Sequence, residues 1–260
     1  MDIILNGQPR SVDFAPGISL LQLLRNELGL RSMKDGCAPE GSCGACTVIV
    51  DGRPVVSCAQ GAERFEGKAV ETLEGLPEAS RELWAAAFSA TGASQCGYCT
   101  PGIVMKSEAL LRREEDPGRE VITKALAGNL CRCTGYLAII DAIEQVAAAR
   151  NGGPRPAPHP GAAVGDPAPK YHSREQVLGM QEYVADHVFP GMLHGALRFS
   201  DHPRAVVVAI DTSAAEAAPG VVAVITAADV PGKRNQGLIK DDWNQFIAVG
   251  ETTHYIGDVL

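Results

Sequence analysis

The sequence predicts an α+β protein in which a small mixed sheet is followed by a helical bundle and then by an α/β module. Apolar and polar side chains alternate over 2–5 and 10–14 around Asn6-Gly7, a strong hairpin signal. From about residue 79, apolar residues recur at helical spacing. A later stretch with six prolines and four glycines in twenty positions predicts a semi-rigid linker. The predicted divisions are residues 1–78, 79–150, the linker 151–170, and 171–260.

The elements of the first module follow from short local signals. Ser19 and Gln22 form a capping box for one amphipathic helix over about 19 to 28. A second hairpin turns at Asp51-Gly52, and its return strand is expected to carry Cys58. An apolar patch at 69–73 is expected to add an edge strand.

The second module reads as four short helices joined by short loops. Ser80 is expected to cap the first helix, and Thr100-Pro101 begins the second by the rule of a cap followed by proline. Apolar periodicity places two more helices before Arg150. In the third module the predicted elements are strands at 192–198, 205–210, 221–226 and from about 253, and a helix at Ser213 to Ala217.

Composition narrows the classes of function. The chain is 45% hydrophobic and carries a net charge of −8, with no basic face for nucleic acid. It contains no transmembrane run and no visible signal peptide, so we expect no membrane partner and a cytoplasmic location.

All eight cysteines fall into two sets of four. In each set, closely spaced cysteines are joined by one or more cysteines from further along the chain. The first set has the spacing C-x5-C-x2-C-x11-C, and the second pairs a C-x2-C with a C-x-C. Two centres ligated by four thiolates each require this arrangement. Disulfides are disfavoured because disulfide scaffolds are small, cysteine-dense and secreted. The predicted metal ligands are Cys37, Cys43, Cys46 and Cys58 of the first site, and Cys96, Cys99, Cys131 and Cys133 of the second site.

Iron-sulfur and zinc are the two metal chemistries that these sites allow. In the first site, three ligands lie on one glycine-rich loop and the fourth arrives separately, which favours a 2Fe-2S cluster over paired zinc knuckles. In the second site we expect all four ligands at helix starts, where negative charge is favoured, and zinc remains an alternative there. No histidine lies near either motif.

Three cysteine-containing runs carry a resemblance to a known family: Gly36-Cys37 through Cys46-Thr47-Val48, Gln95-Cys96-Gly97-Tyr98-Cys99-Thr100-Pro101-Gly102, and Asn129-Leu130-Cys131-Arg132-Cys133-Thr134-Gly135-Tyr136. They resemble the iron-sulfur subunit of the molybdenum hydroxylases, the family of xanthine dehydrogenase and aldehyde oxidoreductase. The resemblance implies a ferredoxin-like β-grasp domain and a four-helix domain with one 2Fe-2S cluster each. It also implies that Gln95 contacts the molybdopterin, the alternative being that Gln95 only caps a helix or binds backbone.

The resemblance continues beyond the linker. The runs Phe189-Pro190-Gly191-Met192-Leu193-His194-Gly195-Ala196 and His254-Tyr255-Ile256-Gly257-Asp258 look like the opening of the molybdenum-binding subunit of the same family. No flavin domain lies between the two parts. This direct fusion and the five-residue first gap are most similar to selenium-dependent xanthine dehydrogenases or to flavin-free aldehyde oxidoreductases. The catalytic residues of the hydroxylation are expected outside this sequence.

The resemblance implies a component that relays electrons from a molybdopterin centre during hydroxylation of a purine-type N-heterocycle. Its expected partners are a molybdenum-binding subunit and a subunit that binds FAD. The alternatives are a component of a flavin-free aldehyde oxidoreductase, a free-standing two-cluster electron carrier, and a zinc-stabilised interaction scaffold. Visible absorption from iron-sulfur clusters would eliminate the scaffold.

Overall fold

A computed structural model describes residues 1–159, 161, 163–166 and 168–260, and the chain forms two compact units, 1–187 and 188–260. Pro160, Ala162 and Pro167 of the predicted linker lie outside the described residues. The first unit ends later than the predicted linker because a short helix and a turn after residue 170 pack on the helical bundle.

The first module is a five-stranded sheet with the strand order β2-β1-β5-β3-β4. Both predicted hairpins form, and the Asn6-Gly7 turn has positive φ angles of 51° and 78°. The strands are β1 Asp2–Leu5, β2 Gln8–Ser11, β3 Thr47–Val50, β4 Arg53–Val56 and β5 Ala69–Glu71.

The expectation that β5 is an edge strand was wrong. β5 is the central strand, parallel to β1 and antiparallel to β3. Val70 on this strand is buried, whereas every residue of β2 is exposed. Pro9 in β2 and Pro54 in β4 occupy the outer strands, where a missing backbone N–H does not interrupt the sheet. The apolar strand therefore lies inside and the strands that contain proline lie at the edges.

One helix packs on this sheet. The helix α1 Leu20–Gln22 begins at the predicted capping box and continues as a π-helix over Leu23–Glu27. Its leucines at 20, 21, 23 and 24 are buried against the sheet, so the predicted amphipathic face is the packed one.

Strand β3 joins the two modules because both of its faces are buried. Val48 and Val50 belong to the core of the sheet domain, while Ile49 on the opposite face belongs to the core of the helical domain. Alternation of side chains along a strand places consecutive residues in different cores. The strand begins immediately after Cys46, so it fixes the position of the first cysteine loop.

The helical domain contains the four predicted helices. Ser80 does not cap the first of them, because that helix begins earlier, after Pro77, and the Ser80 hydroxyl lies within it and accepts a hydrogen bond from Arg150 Nη2 at 2.9 Å. The helices are α2 Glu78–Thr91, α3 Thr100–Leu111, α4 Arg119–Ala125 and α5 Leu137–Arg150.

A buried carboxylate ties three of these helices together. Glu108 of α3 accepts hydrogen bonds from Trp84 Nε1 at 2.7 Å, Arg112 Nε at 3.0 Å and Arg150 Nη2 at 2.5 Å. Burial alone would raise the pKa of Glu108, but the hydrogen bonds from Arg150 and Trp84 and the nearby guanidinium charges outweigh it and lower that pKa. Glu108 is therefore an ionised buried group with a full set of partners.

Two short elements complete the first unit. Helix α6 Ser173–Val177 and the 3-10 turn Val184–Asp186 follow the linker, and Val177 and Leu178 are buried in the core of the helical domain. Residues 170–187 are called the anchoring segment below.

The second unit has little regular structure. Its elements are α7 Ser213–Glu216, which confirms the predicted helix, and the short strands β6 Asn235–Gln236 and β7 Trp243–Asn244. The predicted strands at 192–198, 205–210, 221–226 and from about 253 do not form, apart from isolated bridges at Phe199 with Val259 and Val206 with Thr252. Within the described chain these extended segments find no ladder of strand partners. No described helix is both long and apolar enough to cross a membrane.

Candidate metal centres

The first site is built on the loop that precedes β3. Cys46 and Cys58 are buried, at 1% and 4% exposure, while Cys37 and Cys43 lie nearer the surface. Cys58 is not on the return strand as expected but in the 3-10 turn Ser57–Ala59 that follows β4. There the Ser57 hydroxyl donates to Cys46 O at 2.8 Å, which holds this turn against the loop.

The four thiols of the first site form an inner pair, the buried Cys46 and Cys58, and an outer pair, Cys37 and Cys43, nearer the surface. Burial raises the pKa of Cys43, and the nearby Cys37 and Cys46 add to the effect. Hydrogen bonds from Ser42 and Cys43 lower the pKa of Cys37 to about 7. Burial raises the pKa of Cys58 to about 12, with Cys46 adding to the effect. Buried thiolates this close together repel one another unless a cation lies between them, so the set suits a metal centre.

The start of the loop is closely packed around the sulfur atoms of Cys37 and Cys43. The backbone N–H groups of Ser42 and Cys43 both donate to Cys37 Sγ at 3.3 Å, as expected around a charged sulfur. A Cβ at Gly36 would lie only 2.8 Å from Cys43 Sγ. Any larger residue at position 36 would therefore displace a predicted ligand.

The second site lies at the surface of the helical domain, with Cys96 and Cys133 exposed and Cys99 and Cys131 half-buried. The expectation that all four ligands lie at helix starts is only partly met. Cys99 is the N-cap of α3, whereas Cys131 and Cys133 lie in the loop before α5. That loop is held by Tyr136, whose hydroxyl accepts from Cys131 N at 2.8 Å and donates to Asn129 O at 3.0 Å.

The thiols of the second site also differ in exposure. Cys99 and Cys131 are half-buried, whereas Cys96 and Cys133 are exposed. Burial, followed by the nearby Cys131, raises the pKa of Cys99 well above that of an ordinary thiol. Both sites thus have one inner pair and one outer pair.

Four thiolates at each site form a donor set that suits either a zinc ion or a 2Fe-2S cluster. A single zinc ion draws four thiolates to one point, whereas a 2Fe-2S cluster gives each iron two cysteine ligands. The backbone N–H groups that donate to Cys37 Sγ are the kind of donor that a charged iron-sulfur cluster requires.

The loops of the two sites contact each other directly. Leu130 N, next to Cys131, donates a hydrogen bond to Cys43 O at 2.9 Å. Asn129 Nδ2 donates to Gly44 O at 3.1 Å. A Cβ at Gly102, in the first turn of α3, would lie 2.3 Å from that same carbonyl oxygen. Sequence reasoning missed this junction, and the available signal was the Asn129-Leu130 pair directly before Cys131.

The Gln95 side chain is exposed at the start of the second cysteine loop. Within the part of the chain that the structure describes, this side chain makes no hydrogen bond, and α3 has no side-chain cap. The interpretation of Gln95 as a helix cap thus has no contact to support it.

Three family models match the chain. They are a 2Fe-2S iron-sulfur cluster binding domain over 3–75, a [2Fe-2S] binding domain over 72–144, and the a/b hammerhead domain of aldehyde oxidase and xanthine dehydrogenase over 178–260. Their order along the chain is that of the three predicted modules, and they confirm a ferredoxin-like domain followed by a second 2Fe-2S domain.

Individual relatives and solved structures of the same family are also similar to this chain. The nicotinate dehydrogenase small FeS subunit of Eubacterium barkeri is 47% identical over 144 residues, which are 55% of this chain and 91% of that subunit. The aldehyde oxidoreductase of Megalodesulfovibrio gigas is 35% identical over 99% of this chain, which spans 30% of that enzyme. A solved aldehyde oxidoreductase from Desulfovibrio gigas superposes on the whole chain with a TM-score of 0.85 at 32% identity, and the match spans 31% of its length.

Proposed function

The chain belongs to the molybdenum hydroxylase family, and we propose that it is the electron-transfer part of such an enzyme. Its two sites would hold one 2Fe-2S cluster each, with the second site facing the molybdopterin centre and the first site facing the outgoing acceptor. Each cluster, when bound, takes up and releases one electron. The hydrogen bond between Leu130 N and Cys43 O carries this proposal, since it joins the two ligand loops without a gap.

The residues of this junction keep the two ligand loops in fixed contact. Gly102 leaves room for the Gly44 carbonyl, and Asn129 holds that carbonyl through its side-chain amide. A short path of covalent and hydrogen bonds then runs from Cys131 through Leu130 to Cys43. Because electron transfer weakens steeply with separation, close and rigid contact between the loops is the structural requirement for a relay.

We propose the ligand sets on this basis. Cys37, Cys43, Cys46 and Cys58 would hold the first cluster, and Cys96, Cys99, Cys131 and Cys133 the second. Gln95, exposed beside Cys96, would contact the pterin. The domain boundaries 1–78, 79–150, 151–170 and 171–260 remain a proposal of the same kind.

The proposed reaction is oxidative hydroxylation, in which a C–H bond and water give C–OH, two protons and two electrons. The proposed substrate is a purine-type N-heterocycle. The relative named nicotinate dehydrogenase supports an N-heterocycle, while the aldehyde oxidoreductase that aligns along 99% of the chain supports the alternative, an aldehyde. In either case, electron transfer is the task of the residues described here.

The proposed partners are a molybdenum-binding part and a separate subunit that binds FAD. A relative named as a small FeS subunit supports a multi-subunit assembly. The proposal includes a cytoplasmic location, where cysteines remain reduced and available to a cluster. The alternative of a free-standing carrier would require neither partner.

The test is to isolate the chain from its native cells together with whatever remains bound, and to titrate it with a reductant while recording electron paramagnetic resonance. We expect two distinct signals, each appearing with one electron, and about one molybdenum for every four irons. Two signals without molybdenum would support the free-standing carrier. The absence of both signals would contradict an electron-transfer function.

A further inference from the structure

The anchoring segment, residues 170–187, lies directly on the second cysteine loop. Tyr183 Oη donates a hydrogen bond to Cys96 O at 2.6 Å. A Cβ at Gly97 would lie 2.8 Å from Gln176 Cβ and 3.0 Å from Tyr183 Oη, so only glycine permits this approach. Lys170 Nζ also donates to Gln95 O. Three consecutive residues of the loop are thus covered by one later stretch of chain.

The same segment is fastened to the sheet domain by a buried ionic cluster. Asp186, whose side chain is 2% exposed, pairs with Arg25 and lies 3.5 Å from Lys34 Nζ, and the Lys34 side chain is 1% exposed. Burial alone would raise the pKa of Asp186, but its hydrogen bond from Tyr183 N and the two cations lower it. Burial lowers the pKa of Lys34, with Asp186 opposing. Groups paired in this way are costly to separate.

An aromatic pair connects the two attachments. The rings of Tyr98 and Tyr183 meet edge to face, with centroids 5.0 Å apart and an angle of 80° between their planes. Tyr98 Oη donates to Asp35 O at 2.7 Å, at the start of the first cysteine loop. Lys34 Nζ lies 5.0 Å from the Tyr183 ring centroid. Tyr183 therefore contacts the second loop, the tyrosine that reaches the first loop, and a buried cation.

We propose that the anchoring segment positions the second metal centre, with Tyr183 as the positioning residue for Cys96. The inference rests on the proposed function, because it assumes a 2Fe-2S cluster at that site. The Tyr183 hydroxyl directs its hydrogen, which carries a partial positive charge, toward the Cys96 carbonyl oxygen. Asp186 keeps Tyr183 in place, because Asp186 Oδ2 accepts a hydrogen bond from the backbone N–H of Tyr183 at 3.0 Å. Hydrogen bonds and dipoles around thiolate ligands set the reduction potential of a cluster.

The direct test is Tyr183→Phe in the complete chain with its clusters. Loss of a donor that stabilises negative charge makes the second site harder to reduce. We expect its reduction equilibrium to shift by about threefold toward the oxidised form, about 28 mV for one electron. Its resonance signal should change shape, while the signal of the first site stays the same. The matched control is Tyr171→Phe, since Tyr171 is 81% exposed and its ring lies tilted against that of its neighbour His172.

A second variant tests the attachment without relying on a potential. Asp186→Asn removes the charge that holds Arg25 and Lys34, and we expect amide hydrogen exchange over 95–99 to speed up at least tenfold. The control is Glu182→Gln in the same segment, where the ion pair with Arg31 is exposed. Exchange should stay unchanged in this control.

The outcomes separate the inference from the function on which it rests. If the unmodified chain shows two signals and Tyr183→Phe alters neither, the inference is wrong and the relay remains. If Asp186→Asn leaves exchange over 95–99 unchanged, the anchoring segment does not hold the loop. If the unmodified chain shows no cluster signal, the proposed function fails, and hydrogen exchange still tests the attachment.

Discussion

The two cysteine sites use the same donors in opposite settings. The first site has its inner pair, Cys46 and Cys58, sealed in the core of the sheet domain. The second site has its outer pair, Cys96 and Cys133, open at the surface. Burial raises the pKa of Cys58 in the first site and of Cys99 in the second, so the two sites differ mainly in their outer pairs. The exposed pair of the second site depends on contacts from other parts of the chain. The difference suits a relay whose surface site meets a partner group and whose inner site is built into a rigid sheet.

The largest expected effect comes from removing one ligand at each site. Cys99→Ser should abolish the signal of the second site and reduce bound iron from about four to about two per chain, because each site is proposed to hold its own cluster. Cys46→Ser is the corresponding change at the first site and should abolish the signal of that site. Iron analysis and electron paramagnetic resonance check both variants. Loss of both signals in either variant would mean that the sites are not independent.

A smaller effect is expected in the scaffold of the second site. Glu108→Ala leaves the charges of Arg112 and Arg150 without their buried partner and should lower the free energy of unfolding by about 3–5 kcal/mol. The control is Glu120→Ala, which breaks an exposed pair with Lys124 worth at most about 1 kcal/mol. Urea unfolding checks both. Equal losses in the two variants would show that Glu108 is not a structural centre of the helical domain.

The lowered pKa of Glu108 gives this prediction a pH dependence. An ordinary glutamate in an unfolded chain has a pKa of about 4.3. The stability contributed by ionised Glu108 is therefore fully present above that pH and is lost as the pH falls through the lower folded-state pKa. The stability advantage of the wild type over Glu108→Gln should narrow between pH 7 and pH 3. A constant difference would contradict the direction of the shift.

The smallest effect concerns the junction between the sites. Gly102→Ala forces a methyl group toward the Gly44 carbonyl and should cost about 1–3 kcal/mol by overpacking. The substitution should also slow electron transfer between the two clusters, measured by freeze-quench electron paramagnetic resonance. Gly118→Ala is the control, because a Cβ there meets nothing within 4 Å. Unchanged exchange in Gly102→Ala would indicate that the close approach of the loops is not needed for transfer.

Local signals predicted the parts of the fold that local chemistry decides. The Asn6-Gly7 turn and the capping box at Ser19 formed as expected, and α3 starts at Thr100-Pro101, although Cys99 and not Thr100 is its N-cap. The eight cysteines were predicted as metal ligands from their spacing alone, and that assignment stays a prediction. The position of β5 could not be found in this way, because its place between β1 and β3 is set by pairing with strands that are distant in sequence, while the proline-containing strands β2 and β4 lie at the edges.

Long-range contacts account for the rest. No spacing rule connects Tyr183 with Cys96 or Asp186 with Arg25, since 87 and 161 positions separate them. The strands predicted in the third module were wrong for a related reason. Its apolar runs have strand composition, but a strand forms only where a neighbour completes the hydrogen-bonded ladder, and the described chain provides isolated bridges there.

The assignment of one binuclear cluster to each site is tested most directly by measuring iron, zinc and acid-labile sulfide in the complete chain. Two binuclear centres predict about four irons and four sulfides per chain, with no zinc. About two zinc ions and no sulfide would mean that each site draws its four thiolates to a single ion, and would contradict the account.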